Sequence, residues 1–199
     1  MGKILNNYFL TGEKNSGKSS IIKKLLEEID YYPAGYAVAR ELDPLSKKPL
    51  VFRLVPALFL KTMGTKNLVS DFGEENTLTM SHFDNIIASR ESIDEDFKVF
   101  PEVFNNYGVE LLRLDVDIVI MDELGRFESG AGKFKEKVFS LLDSKKIVLG
   151  VLKAENNSFL NEIKKREDIK ILELKDNNKE KVKEEIFSVL SKYMRKKDY

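Results

Sequence analysis

Residues 12–19 constrain what this chain can fold into more than any other segment. They read Gly12-Glu13-Lys14-Asn15-Ser16-Gly17-Lys18-Ser19 and match the pattern G-x-x-x-x-G-K-[S/T]. Glycine at both ends of the variable residues allows the torsions that wrap backbone N–H groups around an anion. The apolar residues 3–10 precede the loop, and the apolar residues within 18–29 are spaced as one helical face. A strand, a glycine-bounded loop and a helix in this order predict a phosphate-binding loop, or P-loop.

The side chains of the loop indicate which anion it binds. Lys18 would place its ammonium group on the β- and γ-phosphates, and Ser19 would place its hydroxyl on Mg²⁺. The helix that opens at Lys18 also points its positive end at the phosphates. We therefore predict that the chain binds a nucleoside triphosphate, such as ATP or GTP, together with Mg²⁺. The residues predicted to form the phosphate cradle are Gly12, Glu13, Lys14, Asn15, Ser16, Gly17, Lys18, Ser19 and Ser20.

A second part of the site is predicted where the apolar run 116–121 ends in Asp122 and Glu123. A P-loop site needs an acid at the carboxyl end of a strand to hold a water ligand of Mg²⁺, and Asp122 suits this role. Successive strand residues point to opposite sides, so Glu123 can face the γ-phosphate and polarise an attacking water as a general base. The alternatives are a solvated acid at a strand end for Asp122 and an ion-pair partner of a lysine for Glu123.

Two cations follow predicted strands and are weaker candidates. Arg126 could stabilise the charge that develops on the γ-phosphate, or it could form a surface pair with Glu128. Lys153 could sense the γ-phosphate from the adjacent strand, or it could be an ordinary solvated lysine. His82, the single histidine, is predicted to be a surface or hydrogen-bonded residue and not a catalyst.

The rest of the chain alternates predicted strands and helices. Residues 35–39 and 50–55 predict an antiparallel hairpin around a polar turn. Further strands are predicted at 116–121, 147–152 and 169–174, and helices at 97–114, 133–142, 159–166 and 179–193. This alternation predicts a three-layer α/β fold with a mainly parallel sheet and an antiparallel hairpin at 35–60. We expect a single P-loop domain over residues 1–199, with an irregular insertion at 61–95.

Composition narrows the classes of partner. Lys and Arg total 33 and Asp and Glu total 33, so the chain lacks the basic excess that is typical of nucleic-acid binding. It contains no cysteine, which removes disulfides and thiolate metal sites and agrees with a reducing compartment. No segment approaches the roughly 18 uninterrupted apolar residues of a membrane helix. We expect a cytoplasmic protein without a membrane or nucleic-acid partner; the sequence does not indicate a protein partner.

The segment Asp122-Glu123-Leu124-Gly125 also fits D-x-x-G, the switch element of GTPases. A guanine-specific switch protein normally carries N-K-x-D after a later strand, where this chain has Lys153-Ala154-Glu155-Asn156, and N-K-x-D occurs nowhere in the sequence. This disfavours a guanine-specific switch and leaves the preferred base open.

These motifs together resemble the THEP-type nucleoside-triphosphatase family of small RecA-like P-loop proteins. The family's D-E-I-G-K-M-E corresponds to Asp122-Glu123-Leu124-Gly125-Arg126-Phe127-Glu128, with Arg126 in place of the usual Lys. The resemblance covers roughly 3–60 and 97–190; residues 37–41 and 61–95 do not match. It implies slow, base-tolerant hydrolysis of nucleoside triphosphates to diphosphate and phosphate.

The sequence therefore favours a Mg²⁺-dependent nucleoside triphosphatase in which Lys18, Glu123 and Arg126 are the catalytic candidates and Ser19 and Asp122 hold the metal. One alternative is a kinase for a nucleotide or another small molecule. This alternative is weaker because such enzymes usually close a lid that carries several arginines over the phosphates, whereas the irregular segment 61–95 contains a single arginine, Arg90. Another is a regulatory module whose partner binding depends on the bound nucleotide.

Overall fold

The computed structural model describes residues 5–29, 31–62, 85–113 and 115–195, without the side chains of 193 and 195. Its strands are β1 (Asn7–Thr11), β2 (Ala34–Leu42), β3 (Pro49–Pro56), β4 (Ile86–Ser89), β5 (Lys98–Val99), β6 (Ile118–Leu124), β7 (Ile147–Leu152) and β8 (Ile169–Glu173). Its helices are α1 (Lys18–Glu28), α2 (Leu58–Thr62), α3 (101–111), α4 (Gly132–Leu142), α5 (Ser158–Lys164) and α6 (Lys179–Arg195). Helix α3 consists of a π-helical turn, Phe104–Gly108, between the α-helical turns Pro101–Val103 and Val109–Leu111.

The described strands form one sheet in the order β5-β4-β3-β2-β6-β7-β1-β8. The pairs β2–β6, β6–β7, β7–β1 and β1–β8 are parallel, whereas the pairs β2–β3, β3–β4 and β4–β5 are antiparallel. The predicted α/β fold with a parallel sheet and an antiparallel hairpin is confirmed. One strand, β7, lies between β1, which leads into the P-loop, and β6, which carries the acids.

Apolar residues cover both faces of the sheet. One cluster joins the sheet to α3, α4 and α5, and the other joins it to α1, α2 and α6. In β6, Val119 and Met121 lie in the first cluster, and Ile118 and Ile120 lie in the second. This alternation follows from the period of two residues in a strand and produces the predicted three layers.

Two predicted elements differ from the structure. The helix predicted at 97–114 begins only at Pro101, because Val99 pairs with Ala88 in the sheet and the N–H of Phe100 donates to the carbonyl of Ile87 at 2.9 Å. In the predicted insertion 61–95, residues 86–89 form strand β4. Residues 63–84, including His82, lie outside the described residues.

The strand predicted at 116–121 begins and ends later, as β6, and includes both acids. Opposite β7, Met121 pairs with Gly150 and Leu124 with Leu152, so β6 has one more residue than β7 over this interval. The extra residue forms a β-bulge that bends the strand and re-aims its side chains. Within the described ranges, no helix combines the length and apolarity that a membrane span requires.

Candidate active site

The P-loop lies between the end of β1 at Thr11 and the start of α1 at Lys18. Gly12 has a φ of 135°, and a Cβ at this position would lie 2.6 Å from the carbonyl oxygen of Leu174. The loop therefore needs glycine here both for its backbone torsion and for its close approach to the chain after β8. The loop side chains Glu13, Lys14 and Asn15 are exposed, as is Ser20 on α1, whereas Gly12, Ser16, Gly17, Lys18 and Ser19 are half-buried.

Lys18 folds its side chain back across the loop. Its Nζ donates to the carbonyls of Gly12 at 3.0 Å and Glu13 at 2.6 Å, and to the hydroxyl of Ser16 at 3.2 Å. Burial lowers the pKa of Lys18, although the nearby carboxylates of Glu123 and Asp122 raise it. The ammonium group is thus held within the loop by three oxygens that could be exchanged for oxygens of a phosphate.

Ser19 and Asp122 meet although they lie far apart in the sequence. The Ser19 hydroxyl donates to Oδ1 of Asp122 at 3.0 Å, which joins the start of α1 to β6. Asp122 is buried, with 5% of its surface exposed, and this burial raises its pKa to about 7. The two oxygens suit a hard cation such as Mg²⁺, which typically takes one or two protein ligands and completes its shell with phosphates and water. No group of three or more acidic, histidine or cysteine ligands occurs among the described residues, so the protein alone offers no closed metal cage there.

Glu123 lies in the bulge of β6 and has a φ of 89°, which is uncommon for a residue with a side chain. Its Oε1 lies 2.5 Å from Nζ of Lys153, and its Oε2 accepts a hydrogen bond from Nη2 of Arg40. The side chain of Glu123 is only 14% exposed. Both carboxylate oxygens of Glu123 are therefore paired with cations. The contact with Lys153 is the ion pair with a lysine that was predicted as the alternative to a catalytic role for Glu123.

Arg40 was not among the residues singled out from the sequence. It lies on β2, which pairs with β6 in parallel, and this pairing carries it to Glu123 across 83 positions of sequence. The sequence does contain one signal for it, because Arg40 is a charged residue that directly follows the short apolar run 34–39. The guanidinium lies 5.8 Å from the centre of the Phe52 ring.

Arg126 and Glu128 occupy different environments. Arg126 is exposed, with its guanidinium 5.4 Å from the Phe127 ring. Glu128 has only 2% of its surface exposed, and its Oε2 accepts the N–H of Gly125 at 2.9 Å. Glu128 is therefore not the surface partner predicted as the alternative role for Arg126. Burial raises the pKa of Glu128 to about 7.

Comparison with known proteins identifies the family of this chain. A family model described as NTPase matches residues 62–187, which includes most of the stretch 61–95 that the resemblance left unmatched. The nucleoside-triphosphatase THEP1 of Thermotoga maritima is 29% identical over 91% of this chain and 93% of its own length. The protein of the same name from Methanocaldococcus jannaschii is 28% identical over 90% of this chain and 94% of its own.

Two solved structures share the fold. The crystal structure of THEP1 from the hyperthermophile Aquifex aeolicus has a TM-score of 0.62 at 20% identity, over 92% of this chain and 98% of that one. The solution structure of a human cancer-related nucleoside triphosphatase has a TM-score of 0.63 at 18% identity, over 93% and 97%. Because the family model matches well over half of the sequence, the chain belongs to the THEP-type nucleoside-triphosphatase family.

Proposed function

We propose that this nucleoside triphosphatase is Mg²⁺-dependent, accepts ATP, GTP and other nucleoside triphosphates, and releases the diphosphate and phosphate from a single domain. The observation that carries the proposal is the contact of Ser19 Oγ with Asp122 Oδ1 at 3.0 Å, directly beside Lys18 of the cradle. These are the residues that a P-loop enzyme needs in one place, since phosphate binding and metal binding must coincide. Tolerance for the base is supported by the lack of N-K-x-D in the sequence.

The cradle binds the polyphosphate in this proposal. The loop amides and Lys18 hold the β- and γ-phosphates, and the positive end of α1 adds to the attraction. Ser19 and Asp122 would hold Mg²⁺, which, when bound, neutralises charge on the phosphate oxygens. Burial raises the pKa of Asp122, the charge of Glu123 adds to this effect, and a cation would favour the ionised form of Asp122.

Glu123 is the proposed general base. It orients a water whose oxygen attacks the γ-phosphorus, while the bond from that phosphorus to the bridging β–γ oxygen breaks and the diphosphate leaves. The proton of the water passes to a carboxylate oxygen of Glu123. Arg40 and Lys153 each contact one of the two oxygens, and every carboxylate oxygen has a second lone pair that can accept the proton. Release of one cation would open the approach of the water to Glu123.

Replacement of the proposed base tests this role. We expect Glu123→Gln to retain nucleotide binding and to lower kcat by about 100-fold, the contribution of a positioned general base. Phosphate release is measured with each of the four common ribonucleoside triphosphates, with and without Mg²⁺. The exposed Glu162→Gln is the matched control and should keep wild-type turnover. Undiminished hydrolysis by Glu123→Gln would remove Glu123 from the mechanism, and release without Mg²⁺ would remove the metal.

A further inference from the structure

Glu123 is flanked by a cation from each neighbouring strand. In the sheet, β6 lies between β2 and β7; Arg40 belongs to β2, and Lys153 follows β7 directly. The backbone N–H of Lys153 donates to the carbonyl of Leu124 at 2.9 Å, which fixes the start of the Lys153 side chain beside the bulge. Each cation takes a different oxygen of Glu123, so the two do not compete for one position.

Arg40 has hydrogen-bonding capacity beyond this ion pair. Its Nε–H is buried and makes no hydrogen bond with any residue in the described part of the chain. A buried donor without an acceptor is costly, so such groups are usually paired in the functional state of a protein. The guanidinium is a rigid fork whose N–H groups suit the oxygens of a phosphate.

Arg40 also lies close enough to the cradle to act on it electrostatically. Its positive charge repels the ammonium group of Lys18 and attracts the carboxylate of Asp122. Lys18, Arg40 and Lys153 are thus three cations close to Asp122 and Glu123, and Lys153 also interacts electrostatically with Glu128. An additional anion placed among them would be stabilised more strongly than in water, because the site is largely shielded from solvent.

The two cations rest on aromatic rings. The guanidinium of Arg40 and Nζ of Lys153 both lie 5.8 Å from the centre of the Phe52 ring, and Nζ of Lys153 lies 5.3 Å from that of Phe127. The two rings are 5.0 Å apart and buried. A cation over an aromatic face keeps a favourable contact while it changes its anionic partner.

We infer that Arg40 and Lys153 distinguish a nucleoside triphosphate from a diphosphate, by exchanging the carboxylate of Glu123 for the γ-phosphate. The exchange would satisfy the Nε–H of Arg40, stabilise the charge on the phosphate, and free an oxygen of Glu123 to accept the proton of the attacking water. A diphosphate lacks the γ-phosphate, so the two ion pairs persist and both cations stay on Glu123. This inference rests on the proposed function and adds its means of recognising the substrate.

The inference is tested by calorimetric titration with the β,γ-imido analogue of ATP and with ADP, both in the presence of Mg²⁺. Arg40→Gln and Lys153→Gln should each weaken binding of the triphosphate analogue by about tenfold or more, because each loses a charge-assisted contact, and should leave ADP binding nearly unchanged. Glu123→Gln should tighten the analogue and not ADP, since it removes the competing carboxylate. Substitution of a residue that only stabilises the fold would change the affinities for the analogue and for ADP in the same direction.

Arg113→Gln is the matched control, because Arg113 is an exposed arginine paired with Asp115 and its loss changes the net charge equally. Equal weakening of both nucleotides, or no change in their affinity ratio, would overturn the inference. If Glu123→Gln lowers kcat as expected while Arg40→Gln and Lys153→Gln keep the wild-type ratio of the two affinities, the inference is wrong but the proposed function stands. If the wild-type protein binds no triphosphate, both the proposed function and the inference are wrong.

Discussion

Glu128 is a buried carboxylic acid that holds the turn following Glu123. It accepts the N–H of Gly125, and the carbonyl of Gly125 accepts a hydrogen bond from Nδ2 of Asn157 at 3.1 Å. The Oδ1 atom of Asn157 also accepts the N–H of Leu160 at 2.8 Å and thereby caps α5. Gly125 is thus fixed from two sides, which connects the turn after the proposed base to a helix.

The burial of Glu128 predicts a dependence of stability on pH. Its pKa lies at about 7 instead of the ordinary 4.5, so the folded state favours the protonated form, and stability is lost as the pH rises through this interval. Glu128→Gln stays neutral and can still accept the N–H of Gly125. The free energy of unfolding of Glu128→Gln minus that of the wild type should therefore increase from pH 4.5 to about 7. This increase should be at most about 3 kcal/mol, and the difference should stay constant at higher pH.

Denaturant unfolding between pH 4.5 and 8.5 measures this difference. Glu162→Gln removes one exposed carboxylate and controls for the change in net charge. Parallel stability curves for the wild type and Glu128→Gln across this range would show that Glu128 does not titrate as its burial requires.

Among the strands and helices, those with regular apolar spacing could be predicted from the sequence. Strand β7 has the predicted bounds, and α4 begins one residue before the predicted 133–142. The two-residue strand β5 could not be predicted, because Phe97, Phe100 and Phe104 also fit a helical face and only pairing with β4 decides between the two.

The candidate site could be predicted in part. The chemistry of the P-loop requires an acid near Ser19, and Asp122 contacts it. The surroundings of Glu123 could not be predicted, because they depend on the register of β6 against β7 and on the neighbouring strand β2, from which Arg40 comes. Pairings between distant segments leave little trace in the local pattern of a sequence.

Gly35 tests how closely β2 must approach β6. It has a φ of 102°, and a Cβ there would lie 1.9 Å from the carbonyl oxygen of Ile120, its partner in β6. Gly35→Ala should therefore lower the free energy of unfolding by about 3 kcal/mol or more, through backbone strain and displacement of the strand. Gly132→Ala is the control: a Cβ at Gly132 meets no atom within 4 Å, and its effect should stay within about 1 kcal/mol. Similar unfolding midpoints for the two variants would contradict this account of the β2–β6 contact.

In the whole molecule, the proposed site is formed by residues of four parallel strands and of the connections that follow them. The cradle follows β1, Asp122 and Glu123 lie near the carboxyl end of β6, Lys153 follows β7, and Arg40 lies on β2. The carboxyl ends of parallel strands meet at one edge of a sheet, which is where open α/β sheets bind their ligands. A ligand at this edge contacts segments that are distant in sequence and should therefore stabilise the entire fold.

This coupling predicts that nucleotide and Mg²⁺ together raise the unfolding temperature. At a free concentration of 100 times Kd, a ligand that binds only the folded state adds about 2.7 kcal/mol, or about 5–10 °C for a chain of this length. The midpoint is measured by calorimetry with the imido analogue of ATP, with Mg²⁺ and with excess chelator. Ser19→Ala should lose mainly the part of the increase that requires Mg²⁺, because it removes a proposed metal ligand. Lys18→Ala should lose nearly all of the increase in unfolding temperature, since the cradle then lacks its ammonium group. The control is Lys24→Ala, which removes an exposed lysine of the same helix and should keep the increase. An equal increase in Lys18→Ala and Lys24→Ala would place the nucleotide outside the P-loop.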